Sequence, residues 1–194
     1  KSRSKTLRWA RNSLRKQFGS CELRSVRAEG IETAFDTLLE LHHSRFQSKD
    51  EQSLLVGSDR MFLGRVTAIF ASSGNAEIHE LVCGDTVIAS GLMFVDKGTC
   101  YFIQSGFDVT YHKYSPIRLL LSQSIDRAFS SLECARFDFG PAYEDYKYDW
   151  KPKTEYNYQM VLGAPGVVPG RLANTYRRMF NKALPPLPSE GNRV

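Results

Sequence analysis

The stretch EIHELVCGDTVIASGLMFVDKGTCYFIQSGF, from Glu77 to Phe107, decides how this chain folds. It holds three β-rich runs, Glu77–Cys83, Thr86–Val95 and Thr99–Phe107. Gly84-Asp85 joins the first pair and Asp96-Lys97-Gly98 the second. Joints this short, built from Gly and Asp, are hairpin turns, so the three runs form an antiparallel meander. Downstream, Pro116–Leu132 reads as a strong helix, with Ser115 as its cap and Pro116 at its first position. Ala135–Phe139 then reads as a short strand. Its link through that helix predicts a right-handed parallel crossover.

Upstream, residues 4–18 form a helix, with Leu7, Ala10, Leu14 and Phe18 at helical spacing and the bases elsewhere. Gly19 stops it, and Cys21–Ala28 alternates as a strand does. Gly30–Gln47 is a second helix, with Ile31, Phe35, Leu38, Leu39, His42 and Phe46 on one face. A third spans Ser58–Ser72, capped by Ser58 and ended before Gly74. After the aromatic stretch Tyr143–Trp150, Glu155–Leu162 alternates as a last strand and Pro169–Leu184 closes as a basic helix. Pro185–Val194 is a flexible, Pro-rich tail. The expected fold class is mixed α/β: one twisted sheet with helices on both faces.

The 194 residues are 42% hydrophobic, 24% charged and 12% aromatic, enough for a globular core and too aromatic for disorder. No apolar run approaches the roughly 20 residues of a membrane span, and no signal segment is present, which predicts a cytoplasmic protein. The chain starts at Lys1 rather than Met, as a fragment or processed form would. Its net charge of +5 is local: Lys1, Arg3, Lys5, Arg8, Arg11, Arg15 and Lys16 fall in a segment without an acid. The remaining bases are outnumbered by acids, which argues against a body built around nucleic acid. Cys21, Cys83, Cys100 and Cys134 show no metal-ligand spacing and are expected as buried thiols, with no metal bound.

Two segments carry candidate chemistry. Gln104 to Arg118 leaves a strand, crosses a short basic loop and enters a capped helix. A helix N-terminus offers backbone N–H groups and a partial positive charge to a phosphate, and His112, Lys113 and Arg118 add to it. Phe137 to Trp150 follows a strand's carboxyl end with Asp138, Glu144, Asp145, Tyr146, Lys147 and Asp149. His42 and His43 are adjacent on a helix, so only one faces the core, and a satisfied core histidine accounts for it. His79 is a lone strand residue. There is no GxSxG elbow, Walker loop, HExxH or GxGxxG, so hydrolase, NTPase and Rossmann readings have no support.

Three pieces in order carry a resemblance: Leu41-His42-His43-Ser44-Arg45-Phe46; Ser105-Gly106-Phe107-Asp108 with Tyr111-His112-Lys113-Tyr114-Ser115-Pro116; and Phe137-Asp138-Phe139-Gly140 leading to Tyr146-Lys147-Tyr148-Asp149-Trp150. They resemble the GNAT-like acetyltransferase domain of CelD-type cellulose and exopolysaccharide biosynthesis proteins, related to the FemAB aminoacyl-transferase group. The resemblance covers roughly residues 5–162. It implies a GNAT-fold acyltransferase with acetyl-CoA as co-substrate, acting on an amine or hydroxyl of a polysaccharide or cell-envelope precursor. Residues 1–18 would be a basic connector helix, and 19–184 the acetyltransferase domain, the second module of a longer chain.

By the same resemblance, His112, Lys113, Ser115, Ile117 and Arg118 form the loop that cradles the donor's pyrophosphate. The family pattern places glycines where Ser115 and Ile117 stand, and a β-branched Ile117 crowds a phosphate approaching the backbone. Asp138 is the expected base, Tyr146 the acid, and Lys147 the residue that neutralises a substrate phosphate or carboxylate. Two alternatives differ in class: a non-catalytic GNAT-like binding module, and an aminoacyl transferase of FemAB type.

Overall fold

The computed structural model describes residues 3–48, 50, 51, 53, 55–141 and 144–155. The chain divides into two compact units, residues 1–140 and 141–194. The first unit runs α1 (Arg3–Phe18), β1 (Glu22–Val26), α2 (Ile31–Gln47), α3 (Gly57–Ser72), β2 (Ala76–Cys83), β3 (Thr86–Asp96) and β4 (Thr99–Phe107). A 3-10 helix over Val109–Tyr114, α4 (Pro116–Ser130) and β5 (Arg136–Asp138) complete it. In the second unit the described helix is α5 (Asp145–Tyr148).

The five strands lie in the order β1-β2-β3-β4-β5. The first four pair antiparallel, and β5 pairs parallel to β4 across the α4 crossover, as the meander and crossover patterns predict. Two irregularities bend the centre. Leu81 pairs with Ala89 and Val82 with Val87, which leaves Ile88 as an extra residue of β3. Leu92 pairs with Gln104 and Met93 with Phe102, so Ile103 is an extra residue of β4. Each extra residue resets which side chain meets which face.

Both sheet faces are covered. On one, α1 and α4 bury Ala10, Leu14, Leu119 and Leu120 against Leu81, Ile88 and Ala89. On the other, α2 and α3 bury Phe35, Leu38, Leu39 and Ala71 against Ala76, Ile78 and Leu92. A leucine buried as completely as Leu14 or Leu38 is worth about 2 kcal/mol. The basic helix α1 thus has an apolar stripe inside the core.

Some local expectations need correction. Ser58 does not cap α3. Gly57 turns at φ +54 and starts the helix one residue earlier, and the Asp59 N–H bonds to the Val56 carbonyl instead of a serine hydroxyl. Ser115 does occupy the cap position of α4, but its hydroxyl makes no capping bond. The segment expected as a loop before it is a 3-10 helix, held by Asp108, whose Oδ1 accepts from Thr110 N (2.9 Å) and Oγ1 (2.7 Å). All four cysteines are buried free thiols, and burial first of all pushes the Cys100 thiol up to about 12. The expected strand beyond Glu155, the helix over Pro169–Leu184 and the tail Pro185–Val194 lie outside the described residues. Among the described residues, no helix is long and apolar enough to cross a membrane.

Candidate functional site

The first two sequence pieces and the Phe137–Gly140 part of the third converge on β4. The first, on α2, touches the second directly: the His42 Nδ1–H donates to the Ser105 carbonyl at 3.1 Å, and the Arg45 guanidinium lies 5.8 Å from the centre of the Phe107 ring. The backbones are just as close. A Cβ on Gly106 would overlap the backbone nitrogen of His42 and lie 2.6 Å from the Leu41 carbonyl carbon. Only glycine admits α2 at this distance. His42 is buried, and its ring packs 4.6 Å from that of Phe46. Burial pushes its pKa below the ordinary value, opposed by the bond to Ser105, so the ring is neutral at physiological pH. Its partner on the outward side, His43, reaches the Leu55 carbonyl at 3.0 Å. His42 is thus the satisfied core histidine the sequence called for.

The third piece borders the same strand. Phe137 and Asp138 pair with Cys100 and Tyr101. There β5 stops, while β4 continues to Phe107, and among the described residues no strand pairs with β4 on that side beyond Tyr101. Among the described residues, then, the sheet is open along the second half of β4. Asp138, half-buried at the end of β5, accepts from the Gly140 N–H at 2.8 Å and lies 3.4 Å from the Arg136 guanidinium. Gly140 turns at φ +72, where a Cβ would sit 3.1 Å from the Phe102 carbonyl oxygen.

From that open edge β4 runs straight into the basic segment. Tyr114 anchors it: the ring is buried, and its hydroxyl donates to Gln17 of α1 at 2.7 Å. His112 and Lys113 stay exposed, with the Lys113 ammonium 4.8 Å from the Tyr114 ring centre. Ser115 sits at φ +51, ψ +58, the left-handed conformation glycine adopts without cost. The backbone shape of a glycine loop is therefore present without the glycine. The Ser115 carbonyl accepts from Arg118 N (3.0 Å) and Leu119 N (3.2 Å). Pro116 has no N–H, which leaves the Ile117 N–H as the first-turn donor that can face a ligand. The Ile117 side chain packs against the α1/α4 core cluster, so it is bound to the interior of the unit.

The remaining candidates belong to the second unit. The Tyr146 hydroxyl donates to Glu144 at 3.1 Å. Lys147 is buried, donates to the Pro141 carbonyl at 2.8 Å and pairs with Glu144 at 3.2 Å.

Sequence reasoning left His79 without a role, yet it stands in the most polar part of the interior. Its Nε2–H donates to Glu77 at 2.9 Å, and its Nδ1 lies 2.8 Å from the Ser124 hydroxyl. Glu77 also accepts from Ser25 (2.6 Å), Arg27 (2.7 Å) and Arg127 (2.8 and 3.2 Å). Burial alone would raise the Glu77 pKa. The hydrogen bonds from His79, Arg127 and Ser25 overcome it and hold the carboxyl well below the usual range. Ser124 and His79 are both fully buried, so this Ser-His-Glu arrangement is closed to substrate and serves the fold. Among the described residues no cluster of three His, Cys, Asp or Glu side chains forms that would hold a metal ion.

Comparison with known proteins bears on the family and the fold. Residues 1–148 match the family described as acetyltransferase (GNAT) domain. No curated protein matches. Among solved structures, an aminoglycoside acetyltransferase from an uncultured soil metagenomic sample, in complex with sisomicin, is similar with a TM-score of 0.52 and 12% identity. That match covers 77% of this chain and 98% of the other. A predicted acetyltransferase from Clostridium acetobutylicum, with acetyl-CoA, aligns with a TM-score of 0.50 and 10% identity over 74% of this chain and 96% of its own. At such identities the likeness is one of fold.

Proposed function

This chain belongs to the acetyltransferase (GNAT) domain family, and we propose that it moves an acetyl group from acetyl-CoA to an amine or hydroxyl of a polysaccharide or cell-envelope precursor. The carrying observation is the half of β4 beyond Tyr101, which no described strand pairs on the β5 side and which leads into the basic turn at His112–Arg118. An extended donor arm with amide groups can add to a strand edge as another strand would. The phosphates at its end then reach the N-terminus of α4, where the Ile117 N–H, the helix dipole, Lys113, His112 and Arg118 favour negative charge.

In the reaction the acceptor's nitrogen or oxygen attacks the thioester carbonyl. The new bond to the acetyl carbon forms, the carbon–sulfur bond breaks, and the sulfur leaves as thiolate. Asp138 takes the acceptor's proton, and the thiolate takes one from solvent. Backbone N–H groups hold the oxyanion.

Titration calorimetry with acetyl-CoA tests the donor half directly. Saturable heat is expected. No heat at millimolar acetyl-CoA would overturn the assignment. Release of thiol from acetyl-CoA on adding amino-sugar or hydroxyl acceptors, lost in Asp138→Asn, tests the acceptor half.

A further inference from the structure

Residue 105 holds the key to how the donor arm docks. Along β4, Asp108 turns its N–H to the Ile88 carbonyl of β3 at 3.0 Å. Backbone groups alternate along a strand, so those of Ser105 face the other way, toward the open edge. Both are already bonded there. The Ser105 N–H donates to the carboxamide oxygen of its own neighbour Gln104 at 3.0 Å. The Ser105 carbonyl accepts from His42 at 3.1 Å.

The two partners are not equivalent. His42 is buried on α2, its ring is packed on Phe46, and its backbone is pressed against Gly106. It has nowhere to go. Gln104 is half-buried, on a long flexible side chain, and its oxygen matches an amide carbonyl in charge and shape.

We propose that Gln104 is a built-in stand-in for the acyl donor: its carboxamide oxygen holds the Ser105 N–H until an amide carbonyl of the donor arm replaces it, while His42 stays bonded to the Ser105 carbonyl throughout. At residue 105 the arm therefore meets an N–H that Gln104 releases and a carbonyl with one of its two lone pairs already taken. The inference rests on the assignment of the β4 edge to the donor.

The test compares acetyl-CoA with ADP, which carries the diphosphate but no amide arm, by calorimetry on three forms of the full chain. Gln104→Ala removes the competitor and should tighten acetyl-CoA about threefold. Gln104→Glu puts a charged acceptor on the Ser105 N–H and should weaken acetyl-CoA about tenfold. ADP affinity should change less than about twofold in both, since one hydrogen bond at the arm lies outside its reach. In nitrogen-15 NMR the Ser105 amide should move on saturation with acetyl-CoA, while the His42 Nδ1–H resonance stays. Weaker acetyl-CoA binding by Gln104→Ala, or a lost His42 Nδ1–H signal in the complex, would overturn the inference. Equal changes in ADP and acetyl-CoA would overturn it while leaving the donor site standing. Absence of acetyl-CoA binding by the unaltered chain would sink both.

Discussion

The two ends of α4 are built in opposite ways. Its C-terminal half is tied down: Ser124 meets His79, and Arg127 makes two bonds to Glu77. Its N-terminus has a cap residue whose hydroxyl caps nothing, a strained left-handed backbone at Ser115 and exposed bases beside it. Strain at one end is affordable because the other is over-determined. A helix anchored at its far end can hold an unsatisfied N-terminus in a fixed place, which is what a phosphate-binding turn needs.

The largest expected effect lies at the anchored end. Glu77→Ala should cost about 3 kcal/mol, the low end of the range for breaking a buried ion pair, because Arg27 and Arg127 retain some access to water. Chemical denaturation measures it. The folded variant should still bind ADP as the parent does. A fall in ADP affinity to match the fall in stability would erase the distinction between the two ends.

Acid should act on the same end. The Glu77 carboxyl is held below its ordinary value of 4.5, so below that pH the unfolded chain gains a proton that the folded chain refuses. Stability is therefore present above 4.5 and lost as pH falls. Buried neutral His42 adds a loss of the same sign from its ordinary value of 6.5 downward. The stability gap between the parent and Glu77→Gln should narrow below pH 4.5. A gap that stays constant to pH 3 would show that the carboxylate's charge is not what anchors α4.

At the open end the effects are smaller. Ser115→Gly relieves a left-handed serine and should raise stability by about 0.5–1 kcal/mol, the strain relief being offset in part by the entropy of glycine. Acetyl-CoA affinity should be kept, since the backbone shape is unchanged. A lower melting temperature would show that the serine side chain matters after all. Smallest is Lys113→Ala: its ammonium is exposed, so acetyl-CoA should weaken by only about 0.5–1 kcal/mol, and less at high salt. Absence of any salt-dependent change would remove Lys113 from the site.

The same contrast separates what was legible in the sequence from what was not. Alternation and Gly/Asp joints placed β2, β3 and β4 to within a residue, because hairpin turns are local chemistry. The resemblance picked out Leu41–Phe46, Ser105–Asp108 and Phe137–Gly140 in order, but that they meet on one strand is seen only in the structure. Why Gly106 is glycine became evident only from the backbone of α2 lying on it. Ile117 read as an obstacle to phosphate because helix entry looks the same from either side in sequence; packing turned it toward the core. The Glu77 network was hidden for another reason. Glu77, His79 and Glu80 make β2 look half-solvated, and the Glu77 partners Ser25, Arg27 and Arg127 are some 50 residues away. The alternation of Glu77 and His79 on one face was the available signal. Gln104 gave none, since a side chain that bonds its own neighbour leaves no periodicity.

The half of β4 that no described strand pairs on the β5 side also bears on how these molecules behave in a crowd. A bare strand edge is a template on which a second chain can lay its own strand, the first step toward aggregation. At Ser105 the carboxamide of Gln104 and the imidazole of His42 occupy both rungs of that ladder. A foreign strand arriving with ordinary peptide groups would have to dislodge Gln104 and share the carbonyl with His42. The side chains that the inference above assigns to donor docking thus also blunt this edge against pairing with another copy of the protein.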